Sequence, residues 1–242
     1  MFRNGESMSV LRLDKYLSDC GVASRKEIRE IIRSGRVTLD GVAERNFARK
    51  IDSGSAVALD GSALAYEKHR YFMLNKPHGV LSATEDRDQA TVLSLLLPEH
   101  KRLGLFPVGR LDKDTTGLLI LTNDGDFAHK VISPKSGIMK RYLAETDGRC
   151  TEDDVRIFAE GIVLGDGTKC LPAKLEPCGE RCYVTVAEGK YHQVKRMLAA
   201  VGKPVLKLHR LSVGGLLLDE SLLPGQYREL DAEELCRVMK QN

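Results

Sequence analysis

Several features of membrane and secreted proteins are missing from this sequence of 242 residues. No apolar run approaches the roughly 18–20 residues that a helix needs to cross a bilayer, and the first residues contain no hydrophobic region of the signal-peptide type. The six cysteines do not follow the spacing of a disulfide framework, so free thiols in a reducing compartment are the simplest interpretation. These absences predict a cytoplasmic protein without a membrane partner.

Motifs for metal ions and cofactors are missing as well. Cys178 and Cys182 are four residues apart, but no second Cys or His pair with ligand spacing accompanies them. The chain also has no glycine-rich phosphate-binding loop of the usual type. We therefore predict neither a metal site nor a bound cofactor.

The composition is that of a globular protein with a hydrophobic core of ordinary size. Hydrophobic residues make up 42% of the chain and charged residues 29%. The net charge of +3 decides little, because local clusters of charge set the field that a polyanion meets. The length fits either one large domain or a small domain joined to a medium one.

Two short helices are predicted near the N-terminus. An apolar stripe at spacing i, i+3, i+4 predicts a helix over residues 9–20. Ser24 and Glu27 have the spacing of a capping box and predict a second helix over about residues 25–34.

The second helix and its end carry five basic side chains, namely Arg25, Lys26, Arg29, Arg33 and Arg36. The arginines follow one another at spacings of four, four and three, which places them on one helix face. Residues 24–50 contain eight Lys or Arg and four Asp or Glu. Such a ridge suits a phosphate backbone, although an ordinary solvated helix face fits the same pattern.

After Ala65 the chain becomes polar through Glu67, Lys68, His69 and Arg70, and residues 62–68 are predicted to be a linker between two domains. On this division residues 8–61 form a small first domain and residues 69–242 a larger second one. Strands and helices intermix in the second domain without strict βαβ alternation, which predicts an α+β fold rather than a doubly wound one. Within it we predict two strands, over 118–122 and 184–186, and two helices, over 151–160 and 191–201.

Residues 109–119 gather glycines, carboxylates, bases and hydroxyls just before a predicted buried strand, an arrangement typical of functional loops. A calcium loop is disfavoured, because the twelfth position from Asp112 is Asn123 and not the required Glu. A phosphatase of the haloacid-dehalogenase type would place Asp112 directly after an apolar strand, whereas here the strong strand follows it. The plainest alternative is a turn capped by Asp and Thr side chains.

Four segments in order carry a more specific pattern: 71–77 (YFMLNKP), 109–118 (GRLDKDTTGL), 140–142 (KRY) and 188–197 (EGKYHQVKRM). They resemble the motifs of pseudouridine synthases, in the branch that modifies small-subunit ribosomal RNA. Residues 9–56 resemble an S4 RNA-binding domain. Together the segments span nearly the whole chain.

The resemblance implies an S4-type RNA-binding domain and a catalytic domain whose mixed, mainly antiparallel sheet is flanked by helices. It implies that Asp112 is the catalytic carboxylate, that Tyr142 stacks on the target uracil and that Lys195 pairs with Asp112. Arg110 would help to hold the base out of the RNA helix, and Leu198 would line the base pocket.

A second basic surface is predicted in residues 189–218, which contain six Lys or Arg and no Asp or Glu. Lys195 and Arg196 are adjacent on one helix and therefore point about 100° apart. By the motif, Lys195 faces the pocket, while Arg196 and Lys190 face the RNA. Two basic surfaces on one chain predict salt-sensitive RNA binding.

The reaction implied by the resemblance is the isomerisation of one uridine in 16S (small-subunit) ribosomal RNA to pseudouridine. It needs no cofactor, because no atoms or electrons are gained overall. A carboxylate can act covalently, and attack at uracil C6 or at ribose C1′ both remain open. We expect a monomer that acts on ribosomal RNA in a small-subunit assembly intermediate. The same reaction on 23S RNA, or a non-catalytic RNA-binding assembly factor, are the alternatives.

Overall fold

The computed structural model describes residues 10–52 and 54–240. The outer ends of the predicted domains, at residues 8 and 242, lie outside these described residues. No helix within the two ranges combines the length and the apolar character that crossing a membrane requires.

The described residues form two compact units that differ from the predicted division. The first unit runs as far as Arg70 and also includes Leu96–Leu105. The second comprises Tyr71–Leu95 and the chain from Phe106 onward. The predicted second domain is therefore not one continuous stretch, since twelve of its residues, 69–70 and 96–105, belong to the first unit.

The first unit combines short helices with small antiparallel sheets. Its elements are β1 (Val10–Arg12), α1 (Leu13–Asp19), α2 (Arg25–Arg33), β2 (Val37–Leu39), β3 (Val42–Ala43), β4 (Lys50–Asp52), β5 (Val57–Leu59), β6 (Ser62–Ala63) and α3 (Pro98–Lys101). Strand β1 pairs with β4, and a second sheet has the order β3-β2-β5-β6. The predicted helix over 9–20 is shorter than expected, because its first described residues are extended and pair with β4.

Helix α2 begins where the sequence predicts. Ser24 Oγ accepts a hydrogen bond from the Glu27 N–H, and the Glu27 carboxylate accepts one from the Ser24 N–H, which confirms the capping box. Ile28 and Ile32 are fully buried and pack against the apolar face of α1. The opposite face of α2 therefore remains for its basic residues.

The segment 62–68 is only in part the predicted linker. Ser62–Ala63 pairs with β5. Tyr66 stacks on Tyr16 with ring centroids 4.9 Å apart and donates a hydrogen bond to Asp19. Leu64 and Tyr66 pack on the core of the first unit, so the chain passes to the second unit only after Arg70.

The second unit is built on a mixed sheet. Its strands are β7 (Tyr71–Lys76), β8 (Phe106–Pro107), β9 (Thr116–Thr122), β10 (Lys140–Thr146), β11 (Lys174–Cys178), β12 (Arg181–Val186), β13 (Val205–Val213), β14 (Leu216–Leu217) and β15 (Tyr227–Glu229). The order is β11-β12-β10-β13-β9-β7-β15, with β14 beside β13 and β8 beside β9. Only the β13–β9 pair is parallel among the described strands.

Helices pack on this sheet and complete the α+β fold that was predicted. They are α4 (Gly125–Ile132), α5 (Glu152–Glu160), α6 (Gln193–Ala200) and α7 (Ala232–Val238), with 3-10 turns at Val92–Leu95 and Pro134–Ser136. The predicted strands over 118–122 and 184–186 lie within β9 and β12, and the predicted helices over 151–160 and 191–201 correspond to α5 and α6.

Gly117 permits a close approach at the parallel pair. Its φ is +101°, and a Cβ at this position would lie 2.3 Å from the Arg210 carbonyl oxygen. Only glycine fits such a contact without a backbone shift. This pairing places the loop before β9 beside the middle of β13, where the candidate site lies.

Candidate active site

The loop between β8 and β9 carries Asp112, and hydrogen bonds from the buried Lys76 side chain hold its backbone. The Lys76 side chain is completely buried, and its Nζ donates to the backbone carbonyls of Pro77, Lys113 and Thr115 at 3.1, 3.2 and 2.9 Å. Burial lowers the pKa of Lys76 to about 8, although the nearby Asp114 and Asp112 carboxylates oppose this shift.

Ser82 fixes the other side of the same loop. Its hydroxyl donates to the Leu111 carbonyl at 2.8 Å and accepts from the Leu111 N–H at 3.1 Å. The backbone on both sides of Asp112 is therefore hydrogen-bonded to buried groups, which holds the carboxylate in one position.

The Asp112 carboxylate has two basic neighbours from the start of α6. Lys195 Nζ lies 3.0 Å from Asp112 Oδ2, and His192 Nε2 lies 3.4 Å from Asp112 Oδ1. The side chain of Asp112 is 27% exposed, so it remains accessible to a substrate.

Lys195 also contacts Asp114 Oδ1, at 2.5 Å. Burial by itself would lower the pKa of Lys195, but hydrogen bonds to Asp114 and Asp112 outweigh it and raise the pKa above its ordinary value. The same contact with Lys195 lowers the pKa of Asp114. One ammonium group thus serves two carboxylates.

Asp112 lines a cavity of about 650 Å³. Tyr142, half-buried on β10, lines the same cavity, and Arg110 lies at its exposed rim. An adjoining recess beside Asp112 and Tyr142 has apolar walls formed by Val186 of β12 and Leu208 of β13. The predicted residues Asp112, Tyr142, Arg110 and Lys195 therefore come together.

Leu198 lies elsewhere than expected. It was predicted to line the base pocket, but it is fully buried in the core formed with Phe158 and Met197 and lines neither the cavity nor the recess. Leu198 is three residues after Lys195, so its side chain points about 60° away from that of Lys195 around the helix axis. Lys195 therefore faces Asp112, while Leu198 faces the sheet.

Comparison with known proteins agrees with this geometry. Residues 70–200 match the family described as RNA pseudouridylate synthase, and residues 11–57 match the S4 domain. The chain belongs to the RNA pseudouridylate synthase family. It is an RNA pseudouridine synthase with an N-terminal S4 domain, as the motifs predicted.

Related proteins match over nearly their full length. The chain is 45% identical to the Bacillus subtilis protein described as uncharacterized RNA pseudouridine synthase YtzG, over 93% of this chain and 97% of that protein. It is 44% identical to ribosomal small subunit pseudouridine synthase A of Salmonella typhimurium, over 94% of this chain and 100% of that protein. A crystal structure described as pseudouridylate synthase aligns with a TM-score of 0.67 at 36% identity, over 94% of this chain and 99% of that one.

Lys190 and Arg196, the two basic residues of the synthase unit predicted to face RNA, lie in different surroundings. Lys190 lines the cavity, and its ammonium group is 2.6 Å from the Glu188 carboxylate. Arg196 binds Asp166 at 2.5 Å and does not line the cavity. Of the two, only Lys190 lines the cavity that holds Asp112.

The S4 unit arranges its arginines around an aromatic ring. The guanidinium carbons of Arg29 and Arg33 each lie 5.1 Å from the centre of the Phe47 ring, and that of Arg12 lies 5.8 Å away. Arg29 and Arg33 also line a shallow depression together with Arg25 and Lys26. Four of the five predicted basic residues therefore share one surface.

Arg36 departs from the predicted ridge. It follows the end of α2 and binds Asp60 through two guanidinium nitrogens, with Nε 2.9 Å from Oδ1. Its charge is thus compensated by a carboxylate 24 residues away, a partner that helical spacing does not reveal.

Several residues of the active site and of the S4 arginine surface were not predicted. In the active site, His192 and Asp114 contact the Asp112–Lys195 pair, and Lys76 donates hydrogen bonds to the loop that carries Asp112. In the S4 unit, the Phe47 ring contacts the arginine side chains. Lys76, Asp114 and His192 all lie within the four recognised motifs, which was the available signal. Phe47 lies outside them and had none.

Proposed function

We propose that this enzyme isomerises one uridine of small-subunit ribosomal RNA to pseudouridine and that Asp112 is its catalytic carboxylate. The observation that carries the proposal is the Asp112 carboxylate itself, held 3.0 Å from Lys195 in the wall of a large cavity. The relatives from Salmonella typhimurium and Escherichia coli, both described as ribosomal small subunit pseudouridine synthase A, support the choice of small-subunit RNA.

The reaction breaks the N1–C1′ glycosidic bond and forms a C5–C1′ bond. The hydrogen on C5 leaves as a proton and N1 takes up a proton, so atoms and electrons balance without a redox partner. In our proposal Asp112 forms a transient covalent bond to the nucleotide, which divides one difficult step into two easier ones. The Lys195 ammonium offsets the cost of keeping a negative carboxylate partly enclosed.

The target uridine is stacked in RNA and has to be extruded before Asp112 can reach it. Tyr142 offers the extruded uracil an aromatic face inside the cavity, a contact worth roughly 1–3 kcal/mol per base. Arg110, at the exposed rim beside Asp112, is positioned to hold the neighbouring RNA away from the vacated position.

The S4 unit and Lys190 supply positive charge for the phosphate backbone of the RNA. We propose that the RNA is offered within a small-subunit assembly intermediate. A uridine packed between protein and RNA in a finished subunit would be harder to extrude than one in a partly folded RNA.

The test is release of tritium from small-subunit RNA transcribed with uridine labelled at C5, in the presence of EDTA. The bond formed at C5 expels that hydrogen, so each pseudouridine releases one tritium atom. We expect release equivalent to one uridine per RNA from the wild type and none from Asp112→Asn. Asp114→Asn is the matched control, because it removes a neighbouring carboxylate of the same loop.

Three results would refute the proposal. Retained release by Asp112→Asn would exclude this residue as the catalytic carboxylate. Release from large-subunit RNA alone would exclude the small-subunit substrate, and no release from naked RNA, assembly intermediates or either subunit RNA would leave an RNA-binding assembly factor.

A further inference from the structure

The turn between β12 and α6 is held by a buried pair of polar side chains. Gln193 Nε2 donates to Glu188 Oε1 at 2.9 Å, and Gln193 Oε1 accepts from the Lys190 N–H at 2.9 Å. Glu188 and Gln193 are both buried. Buried, mutually satisfied groups of this kind are rigid, so the residues between them are fixed in place.

His192 has a left-handed backbone conformation within this turn, with φ 48° and ψ 33°. Residues other than glycine rarely adopt it, and where the surroundings enforce it the position is often functional. Here it directs the imidazole toward Asp112, with Nε2 3.4 Å from Oδ1.

Tyr191 lies on top of His192. The two rings are 3.9 Å apart and inclined by 17°, while the Tyr191 side chain is 76% exposed. One ring face is therefore covered by the imidazole, and the other faces outward at the cavity edge. A large aromatic residue held rigid and exposed contributes little to the core, which indicates a binding role.

The surroundings of this ring favour a nucleic acid. Arg110 and Lys113 line the same cavity and present positive charge, while the Lys190 charge is paired with Glu188. A flat aromatic face next to cations matches a base attached to a phosphate backbone, because every base has a face that can stack.

We propose that Tyr191, supported by His192, is a stacking platform for an RNA base that neighbours the target uridine. This inference rests on the proposed function. The target uracil itself belongs beside Tyr142 and Asp112, deeper in the cavity, whereas Tyr191 lies at the edge. Extrusion of the uridine deprives its neighbour of a stacking partner, and the exposed face of Tyr191 replaces that partner.

Steady-state kinetics of pseudouridine formation with Tyr191→Ala and Tyr191→Phe test the platform. We expect Tyr191→Ala to raise KM for the RNA roughly tenfold, with kcat changed less than about twofold. Tyr191→Phe keeps the ring and should stay within about twofold of the wild type in both constants. An unchanged KM for Tyr191→Ala would overturn the proposal, as would a loss confined to kcat, which would place the ring on the target uracil.

The chain contains no tryptophan, so Tyr191→Trp introduces a single fluorescent reporter. We expect saturable quenching when small-subunit RNA is added, with a midpoint that matches the Kd from an independent binding assay. Leu223→Trp is the control, since Leu223 is 63% exposed and does not line the cavity. Equal quenching at both positions, or none at position 191, would refute stacking.

The two proposals fail in distinguishable ways. If wild-type protein forms no pseudouridine but the Tyr191→Trp reporter is quenched, the proposed function fails, while position 191 still contacts an RNA base. If wild-type protein is active but the reporter is silent and Tyr191→Ala behaves as wild type, only the platform is refuted.

Discussion

Lys195 Nζ lies between two carboxylates that are two residues apart on one loop. Asp112 is partly enclosed by the cavity, whereas the side chain of Asp114 is 60% exposed to solvent. Exposed ion pairs contribute little, because water screens them, so the contact with Asp112 is the one of consequence. Lys195 thereby links α6 to the loop before β9.

Lys195→Met should lower kcat for pseudouridine formation roughly a hundredfold, because Asp112 loses its cation and its fixed position. Asp114→Asn should cost less than about tenfold, since Lys195 keeps its contact with Asp112. The measurement is steady-state tritium release with saturating RNA. Equal losses in the two variants would contradict the assignment of Lys195 to Asp112.

At the scale of elements, α2 shows how a helix face becomes an organised surface. The i, i+4 spacing places Arg29 and Arg33 side by side, but like charges repel and exposed side chains move. The Phe47 ring lies in the segment before β4. Both guanidinium groups contact it, each with its carbon 5.1 Å from the ring centre. The surface therefore depends on a residue outside the helix.

Phe47→Leu should weaken RNA binding several-fold and leave the salt dependence of the affinity nearly unchanged, because the charges remain while their arrangement is lost. Arg29→Ala with Arg33→Ala should weaken binding more and reduce the slope of log K against log salt by about 1 per arginine. Filter binding over a salt series measures both quantities.

The matched control for this series is Arg36→Ala, because Arg36 is exposed but bound to Asp60. Its affinity and slope should stay close to wild type. A slope change as large as that of the double variant would show that Arg36 belongs to the same RNA contact and would refute the separation of the ridge.

The turn before α6 is a second example at the scale of elements. The hydrogen-bonded pair Glu188 and Gln193 holds the turn, which directs His192 toward Asp112 and leaves the Tyr191 ring exposed. Neither helical nor strand periodicity describes such a turn, which is why its two aromatic rings escaped prediction.

At the scale of the whole molecule, the synthase unit buries basic side chains beneath its active site. Lys140 of β10 is buried, and its Nζ donates to the Val131 carbonyl at 3.0 Å. Burial, with the neighbouring Arg210 charge, lowers the pKa of Lys140 to about 8. The charged form of this lysine therefore opposes folding at neutral pH.

The pH dependence of stability follows from this shift. Above about pH 8 the folded protein releases the Lys140 proton, while the unfolded chain keeps it up to its ordinary value of 10.5. Unfolding then takes up a proton, so the contribution of Lys140 to the free energy of unfolding rises with pH in this window.

Lys140→Met removes that contribution. We expect its stability relative to wild type to fall by on the order of 2–3 kcal/mol between pH 7 and 10, as measured by denaturant unfolding. Other titrating groups occur in both proteins and cancel in the difference. Lys174→Met, at an exposed position, should show a constant difference from wild type, and a constant difference for Lys140→Met would refute the burial argument.

What the sequence determined by itself is local. The capping box of Ser24 and Glu27 and the apolar runs of β9 and α6 depend on hydrogen bonds or periodicity within a few residues, so their positions were predictable. The motifs supplied Asp112, Tyr142, Lys195 and the family, because those residues keep a fixed order along the chain. The roles of the individual side chains stay predictions.

What only the tertiary structure decided is which distant side chains meet. Asp112 and the residues His192 and Lys195 come together because β9 and β13 pair in parallel, a contact that Gly117 permits. Arg36 finds Asp60, Leu198 turns into the core, and residues 96–105 join the first unit for the same reason. Packing across the sheet and between helices is set by burial over the whole chain, and no local pattern encodes it.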